Sequence, residues 1–247
     1  MDLKDWNGRT VAAERSRSGM IAVHDFRDNL VCAPRGDTLP PGIADRIRAS
    51  DPPPDFDDES VLKLSGHLGF YCDLQSLDHV DPVTWSVFGS LAAADAAVKS
   101  SWTSELYTRL GLSLDASDPS EISVWRSLKT GQNGDSPIPF DASVVTCDSA
   151  VFFEASWLDD GAVPGSGGLL HKLESLSEFV RSGGGTMRDR IVLVTLNLHG
   201  GPSLRPGRYG GVELHRMSWQ YLISQDSHPL CGEINRYYDW RISNLGS

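Results

Sequence analysis

Apolar positions recur along this chain in two rhythms, and each rhythm marks a different kind of element. Val83, Val87, Leu91, Ala94 and Val98 follow the i, i+3, i+4 spacing that keeps one face of a helix apolar. Asp81-Pro82 stands before them as an N-cap with proline at the first helical position, so a helix is expected from Asp81 to about Ser100. Two more helices are expected over Ser104–Leu110 and Glu121–Leu128. The rhythm then shortens. Val144–Thr146 and Ala150–Ala155 read as strands of a hairpin turning at Cys147-Asp148-Ser149, where Asp148 suits a turn. The first strand falls just before or within Ile138–Val145 and the second reaches Ser156. Leu169–Val180 is amphipathic, with Leu169, Leu170, Leu173, Leu176 and Phe179 on one side. Arg190–Asn197 is a β-branched run that reads as a buried central strand. A strand over Gly211–Leu214, a helix over Ser218–Ile223 and a last helix over Gly232–Arg241 complete the pattern. No internal repeat is visible.

Outside these elements the chain is punctuated by breakers. Residues 1–58 hold few periodic apolar stretches and are expected to form an N-terminal arm or extension with one short strand at Met20–Val23; they end in the connector Asp51-Pro-Pro-Pro-Asp-Phe-Asp-Asp-Glu59. Residues 59–247 are expected to form one α/β domain. Within it, 131–137 and 159–168 are rich in Gly, Ser, Asp and Pro and read as loops. Trp85, Trp125, Trp219 and Trp240 are expected in the core.

Composition narrows the choice of class. At 247 residues and 40% apolar the chain is ordinary globular material. No apolar run approaches the ~18 residues of a membrane span, and the N-terminus lacks the basic-then-apolar order of a secretory signal, so a cytoplasmic protein is expected. Four cysteines, at 32, 72, 147 and 231, are too far apart for a zinc pair and too few for a disulfide scaffold; reduced, mostly buried thiols follow. The seven histidines show no H-x3-H or H-E-x-x-H spacing, and the glycines at 183–185 and 200–201 lack a phosphate-binding P-loop pattern. A net charge of −11 opposes a nucleic-acid partner, because Lys and Arg supply most non-specific affinity. From Leu170 to Arg216, however, seven basic residues face four acidic ones, an excess of three positive charges that leaves −14 on the rest. A locally positive C-terminal face is the implied exception.

Chemistry concentrates in the hairpin. Asp141 and Glu154 stand at its two ends with twelve residues between them, so folding back brings the carboxylates together at one end of the sheet. Val151, Phe152, Phe153 and Trp157 flank Glu154, and a carboxylate in such surroundings calls for a partner. Hard cations such as Mg2+ or Mn2+ are held by one or two carboxylates plus waters and phosphates. The segment resembles the catalytic hairpin of the PD-(D/E)xK nuclease superfamily, the restriction-endonuclease-like fold, in which an Asp opens one strand and a (D/E)-x-K triplet closes the next. Here the triplet is Glu154-Ala155-Ser156. Gln75–Phe88 is also similar to the N-terminal helix of one bacterial group of restriction endonucleases, and the two segments sit within a match over residues 65–225.

The resemblance implies a restriction-endonuclease-like core of helix, three-stranded meander, crossing helix at Leu169–Val180 and parallel strand at Arg190–Asn197, with one meander strand left unplaced. It implies that Asp141, Glu154 and the Ala155 carbonyl hold Mg2+ or Mn2+ for DNA cleavage, in defence against foreign DNA, and by analogy that two copies act as a homodimer. Ser156 occupies the lysine position and carries no charge, so the chain is expected to bind metal but to cut slowly or not at all. Three accounts of it stand open: an engineered inactivation, a natural member that binds without cutting, or a lysine supplied from elsewhere, for which Lys172 is the named candidate. Asp81 is a candidate third acid as well as a cap. Two other classes compete with the nuclease: a non-catalytic nucleic-acid-binding or assembly protein retaining the nuclease fold, and an unrelated α/β protein with an acidic surface.

Overall fold

The computed structural model describes residues 1–34, 39–51, 55–112, 120–128, 137–157, 166–181, 190–198 and 204–245. Of the loops expected at 131–137 and 159–168, residues 131–136 and 159–165 lie outside these residues, as do the prolines at 52–54 and the glycines at 183–185 and 200–201; 166–168 are helical instead. In chain order the strands are β1 (Asp2–Lys4), β2 (Thr10–Arg15), β3 (Ile21–Val23), β4 (Glu121–Val124), β5 (Ser127–Leu128), β6 (Ile138–Pro139), β7 (Ala142–Val145), β8 (Ser149–Ala155), β9 (Arg190–Asn197), β10 (Gly207–Tyr209) and β11 (Val212–Ser218). The α-helices are α1 (Pro41–Arg48), α2 (Asp58–Leu64), α3 (Asp81–Thr84), α4 (Ser90–Ala93), α5 (Ala96–Leu110), α6 (Ser166–Arg181), α7 (Trp219–Ile223) and α8 (Cys231–Asn244). The chain divides into two compact units, Met1–Val87 with Gly232–Ser247, and Phe88–Cys231.

In the first unit, the residues expected as an arm instead form an antiparallel sheet in the order β1-β2-β3. The alternation Val11, Ala13 and the run Ile21, Val23 bury one face against Leu77, and α1 and α2 follow. Arg241 is fully buried. It donates to the carbonyls of Leu77 and His79, to Asn29 Oδ1 at 3.1 Å and to the Tyr237 hydroxyl at 3.0 Å. Those bonds make the buried charge tolerable.

The second unit is built on a mixed six-stranded sheet in the order β10-β11-β9-β8-β7-β4. The β4–β7 and β7–β8 pairs are antiparallel, whereas β8, β9 and β11 are mutually parallel. Side chains alternate across β8. Ala150 and Phe152 join Leu169, Leu173 and Leu176 of α6, with Ile191, Leu193, Val212 and Leu214 from the parallel strands. Phe153, on the opposite face, meets Phe88 at 4.9 Å between ring centroids, and Phe88 meets Trp102 of α5 at 5.9 Å. Helix α6 therefore covers one face of the sheet and α5 the other. At the β10–β11 turn, α6 comes so close that a Cβ on Gly210 would lie 2.7 Å from the Cβ of Ser177.

Several expected boundaries shift, each for a physical reason. The helix expected from Asp81 to Ser100 is broken into α3, a π-helical stretch over Trp85–Gly89 and α4. The carboxylate of Asp95 then accepts from the Val98 N–H at 2.9 Å, which starts α5 as a new helix. The helix expected at 104–110 is the second half of α5, closed by Gly111 in the left-handed region at φ 66°. Asp81 is the first residue of α3 and Val80 its N-cap, so the expected capping role is not the one it has. Glu121–Val124 is strand β4, not helix. Ile122 and Val124 obey a period of two as well as a helical one, and pairing with β7 decides between them.

The thiols and tryptophans also depart from expectation. All four cysteines are free thiols, but only Cys72 is buried and Cys147 is exposed. Burial pushes the Cys72 thiol up to about 12, so it stays protonated and unreactive. Of the four tryptophans expected in the core, Trp219 is fully buried while Trp85, Trp125 and Trp240 are half-buried; Trp102 and Trp157 fill the core instead. Among the described residues no helix is long and apolar enough to cross a membrane.

Candidate functional site

Strand register places Asp141 and Glu154 side by side. Ala142 pairs with Phe153, so the next residues outward are the two acids. The Asp141 N–H donates to the Phe153 carbonyl at 3.0 Å, and Asp141 Oδ2 accepts from the Ala155 N–H at 2.8 Å. The Asp141 carboxylate thus closes the open end of the β7–β8 ladder and lies against the Glu154-Ala155 backbone. A strained turn helps to hold it. Trp125 adopts φ 52°, an uncommon conformation for a bulky side chain, and donates its N–H to the Asp141 carbonyl at 2.8 Å.

Glu154 follows Ala150 and Phe152 on the face covered by α6. Its Oε2 is in direct contact with the ammonium of Lys172, which α6 presents on the turn before Leu173 and Leu176. The two side chains are 16% and 27% exposed for Lys172 and Glu154, intermediate between a surface pair and a buried one. The Lys172 ammonium also sits 5.5 Å from the centre of the Phe140 ring, a cation–π distance. Within this trio two carboxylates face one ammonium.

Ser156 occupies the position after Ala155 on β8. Its N–H donates to the Leu196 carbonyl at 2.8 Å and its hydroxyl to the same oxygen at 3.3 Å, while its own carbonyl accepts from Trp219 Nε1 at 2.8 Å. These bonds tie the end of β8 to β9 and α7. The serine serves as a strand-end fastening.

Asp81 belongs to the first compact unit, and Asp141 and Glu154 to the second. Its buried carboxylate lies 3.6 Å from Arg46 Nε and 3.7 Å from His79 Nδ1. Of the basic residues counted between 170 and 216, Arg188 lies outside the described residues. Arg190 and Arg208 both grip Glu213, at 2.9 and 2.7 Å. Hydrogen bonding from Arg190, and then from Arg208, holds the Glu213 carboxyl below the usual glutamate range against the opposing effect of its burial. Much of the expected positive excess is thus spent within the protein.

Among the described residues no group of three or more His, Cys, Asp or Glu is placed to hold a metal ion. A cation here would take two carboxylates and complete its shell with amide oxygens and water. That donor set fits Mg2+ or Mn2+, which keep several waters, and does not fit a structural zinc.

Residues not singled out from the sequence share this edge. Thr195 pairs with Glu154 and with Arg216, and Asn197 lies two residues beyond Thr195 on the same face. The available signal was a polar residue ending an otherwise apolar strand, Ile-Val-Leu-Val-Thr-Leu-Asn197. Glu154, Asn197 and Ser218 all stand at the carboxyl ends of three parallel strands, the edge where open α/β sheets bind ligands. No protein-family model, curated protein or solved structure matches this chain.

Proposed function

We propose that this protein is a divalent-cation-dependent DNA endonuclease of the PD-(D/E)xK type, serving defence against foreign DNA inside the cell. In this reading Lys172 supplies from α6 the charge that Ser156 lacks. The observation that carries it is the contact of the Lys172 ammonium with Glu154, whose neighbour Asp141 is bonded to the Ala155 N–H. The order of elements supports it as well: a helix, three antiparallel strands, a covering helix and a parallel strand.

Bound Mg2+ or Mn2+ would activate a water and neutralise charge on the scissile phosphate. Asp141, Glu154 and the Ala155 carbonyl would hold it. Lys172, fixed by Glu154 and by the Phe140 ring, would aim a permanent positive charge at the phosphate oxygens. Cutting both strands of a duplex would take two such sites, hence a homodimer.

Nicking of supercoiled plasmid in Mg2+ or Mn2+ tests this. Wild-type protein is expected to cut and Asp141→Ala to lose at least ~100-fold in rate. Lys172→Met is expected to be equally impaired, and Ser156→Lys added to Lys172→Met to recover part of the activity. A wild type that cuts with neither metal, or an Asp141→Ala variant that cuts as fast, overturns the proposal. One observation favours a second reading, a non-catalytic binding protein: Lys172 already neutralises Glu154 without any cation. That reading requires no heat on titration with Mg2+ or Mn2+.

A further inference from the structure

Asn197 ends the central strand of the second unit, and the residue is only 7% exposed. Its Oδ1 is enclosed and has no hydrogen-bond partner among the described residues. A buried acceptor without a donor is costly. Such a group persists where something outside the protein supplies the donor.

Its position says what that donor is. Ile191 and Leu193 face α6, so alternation along β9 puts Thr195 and Asn197 on that face too. Glu154, paired with Thr195, lies one strand over and one residue pair back. Strand spacing of ~4.8 Å and a rise of ~6.6 Å per residue pair put the Glu154 and Asn197 backbones roughly 8 Å apart. Side chains of this length span that gap through a single hydrated cation, whose own ligand shell is about 4 Å across. With only two carboxylates at this edge among the described residues, a cation held by Asp141 and Glu154 needs further oxygens.

We propose that Asn197 Oδ1 is an outer-shell group of the cation site, accepting a hydrogen bond from water in the first shell of an ion held by Asp141, Glu154 and the Ala155 carbonyl. A neutral amide oxygen suits this place because a third carboxylate would add to the repulsion between Asp141 and Glu154 when no cation is present. The inference rests on the proposed cation site.

Titration calorimetry with Mn2+ alone, paired with thermal melts of the metal-free protein in chelator, tests it. Asn197→Leu is expected to weaken Mn2+ binding about five- to tenfold while its metal-free Tm equals or exceeds that of wild type, because an unsatisfied amide has been replaced by an apolar group. Asn197→Asp is expected to bind Mn2+ more tightly and to melt lower without metal. Unchanged Mn2+ affinity in both variants overturns the inference, as does a metal-free Asn197→Leu protein that melts well below wild type, which would show a structural amide. If wild-type protein gives no heat that Asp141→Ala removes, the underlying cation site fails, and that outcome is read from the Asp141→Ala control and not from Asn197.

Discussion

Replacing Lys172 with Met keeps an aliphatic stem of similar length and removes the charge that Glu154 faces. In a medium of effective dielectric ~20, unit charges in contact at ~3 Å attract by about 5 kcal/mol before other costs. Ordering a lysine side chain costs up to ~2 kcal/mol, and desolvating both ions offsets more. Exposed pairs measure ~0–1 kcal/mol, whereas breaking a buried one costs ~3–5 kcal/mol. With exposures of 16% and 27% this pair lies between, and the Asp141 carboxylate beside Glu154 adds a repulsion that the ammonium no longer offsets. Lys172→Met is expected to lose about 2 kcal/mol of stability in chelator. Glu154→Gln in the same chain is expected to return most of it, a coupling of about 1–2 kcal/mol. The assay is urea unfolding of wild type, both single variants and the double variant, followed by tryptophan fluorescence, since Trp219 donates to the Ser156 carbonyl beside the site. Saturating Mg2+ is expected to stabilise Lys172→Met more than wild type, because the cation replaces the lost ammonium. A coupling below ~0.3 kcal/mol, within the error of additive sites, would refute the reasoning.

Three other outcomes follow from the packing. Arg241→Met is expected to cost the first unit about 3 kcal/mol in chemical denaturation, because the Leu77 and His79 carbonyls and Asn29 Oδ1 lose the guanidinium donor around a fully buried side chain. Gly210→Ala is expected to cost about 2 kcal/mol, combining left-handed strain at φ 55° with the 2.7 Å approach to Ser177; a melting point equal to wild type contradicts it. Glu213 has a folded-state pKa held below the ordinary 4.5. Its contribution is therefore complete at neutral pH, above the unfolded value, and is lost as pH falls through the folded value. Glu213→Gln is expected to flatten the acid limb of a stability-against-pH curve, and an unchanged limb speaks against the Arg190–Glu213–Arg208 arrangement.

Periodicity made the second unit's central elements legible: the β7–β8 hairpin, α6, β9, β11 and α7 stand close to where apolar spacing put them. Their neighbours in sequence were ambiguous for stated reasons. Ile122 and Val124 fit both periods, and only cross-strand pairing with β7 selects the strand. The apolar ladder from Val83 to Val98 runs straight through the Ala94-Asp95 break, so spacing alone hides the cap that restarts the helix. Residues 1–58 look like an arm in sequence because two of their three strands are only three residues long, too short for period-two alternation to register. At the site, Asp141 and Glu154 were visible from the hairpin, and Lys172 from its place on the following helix. Asn197 was not, because a strand-terminal asparagine acquires meaning only when three parallel strands bring their carboxyl ends to one edge.

Crystals soaked in Mn2+ and measured for its anomalous scattering put the central claim to the most direct test. A peak within ~2.2 Å of carboxylate oxygens from both Asp141 and Glu154, with a water between the ion and Asn197, is the predicted result. Ordered Asp141 and Glu154 side chains with no peak between them, and Lys172 still on Glu154, would contradict it.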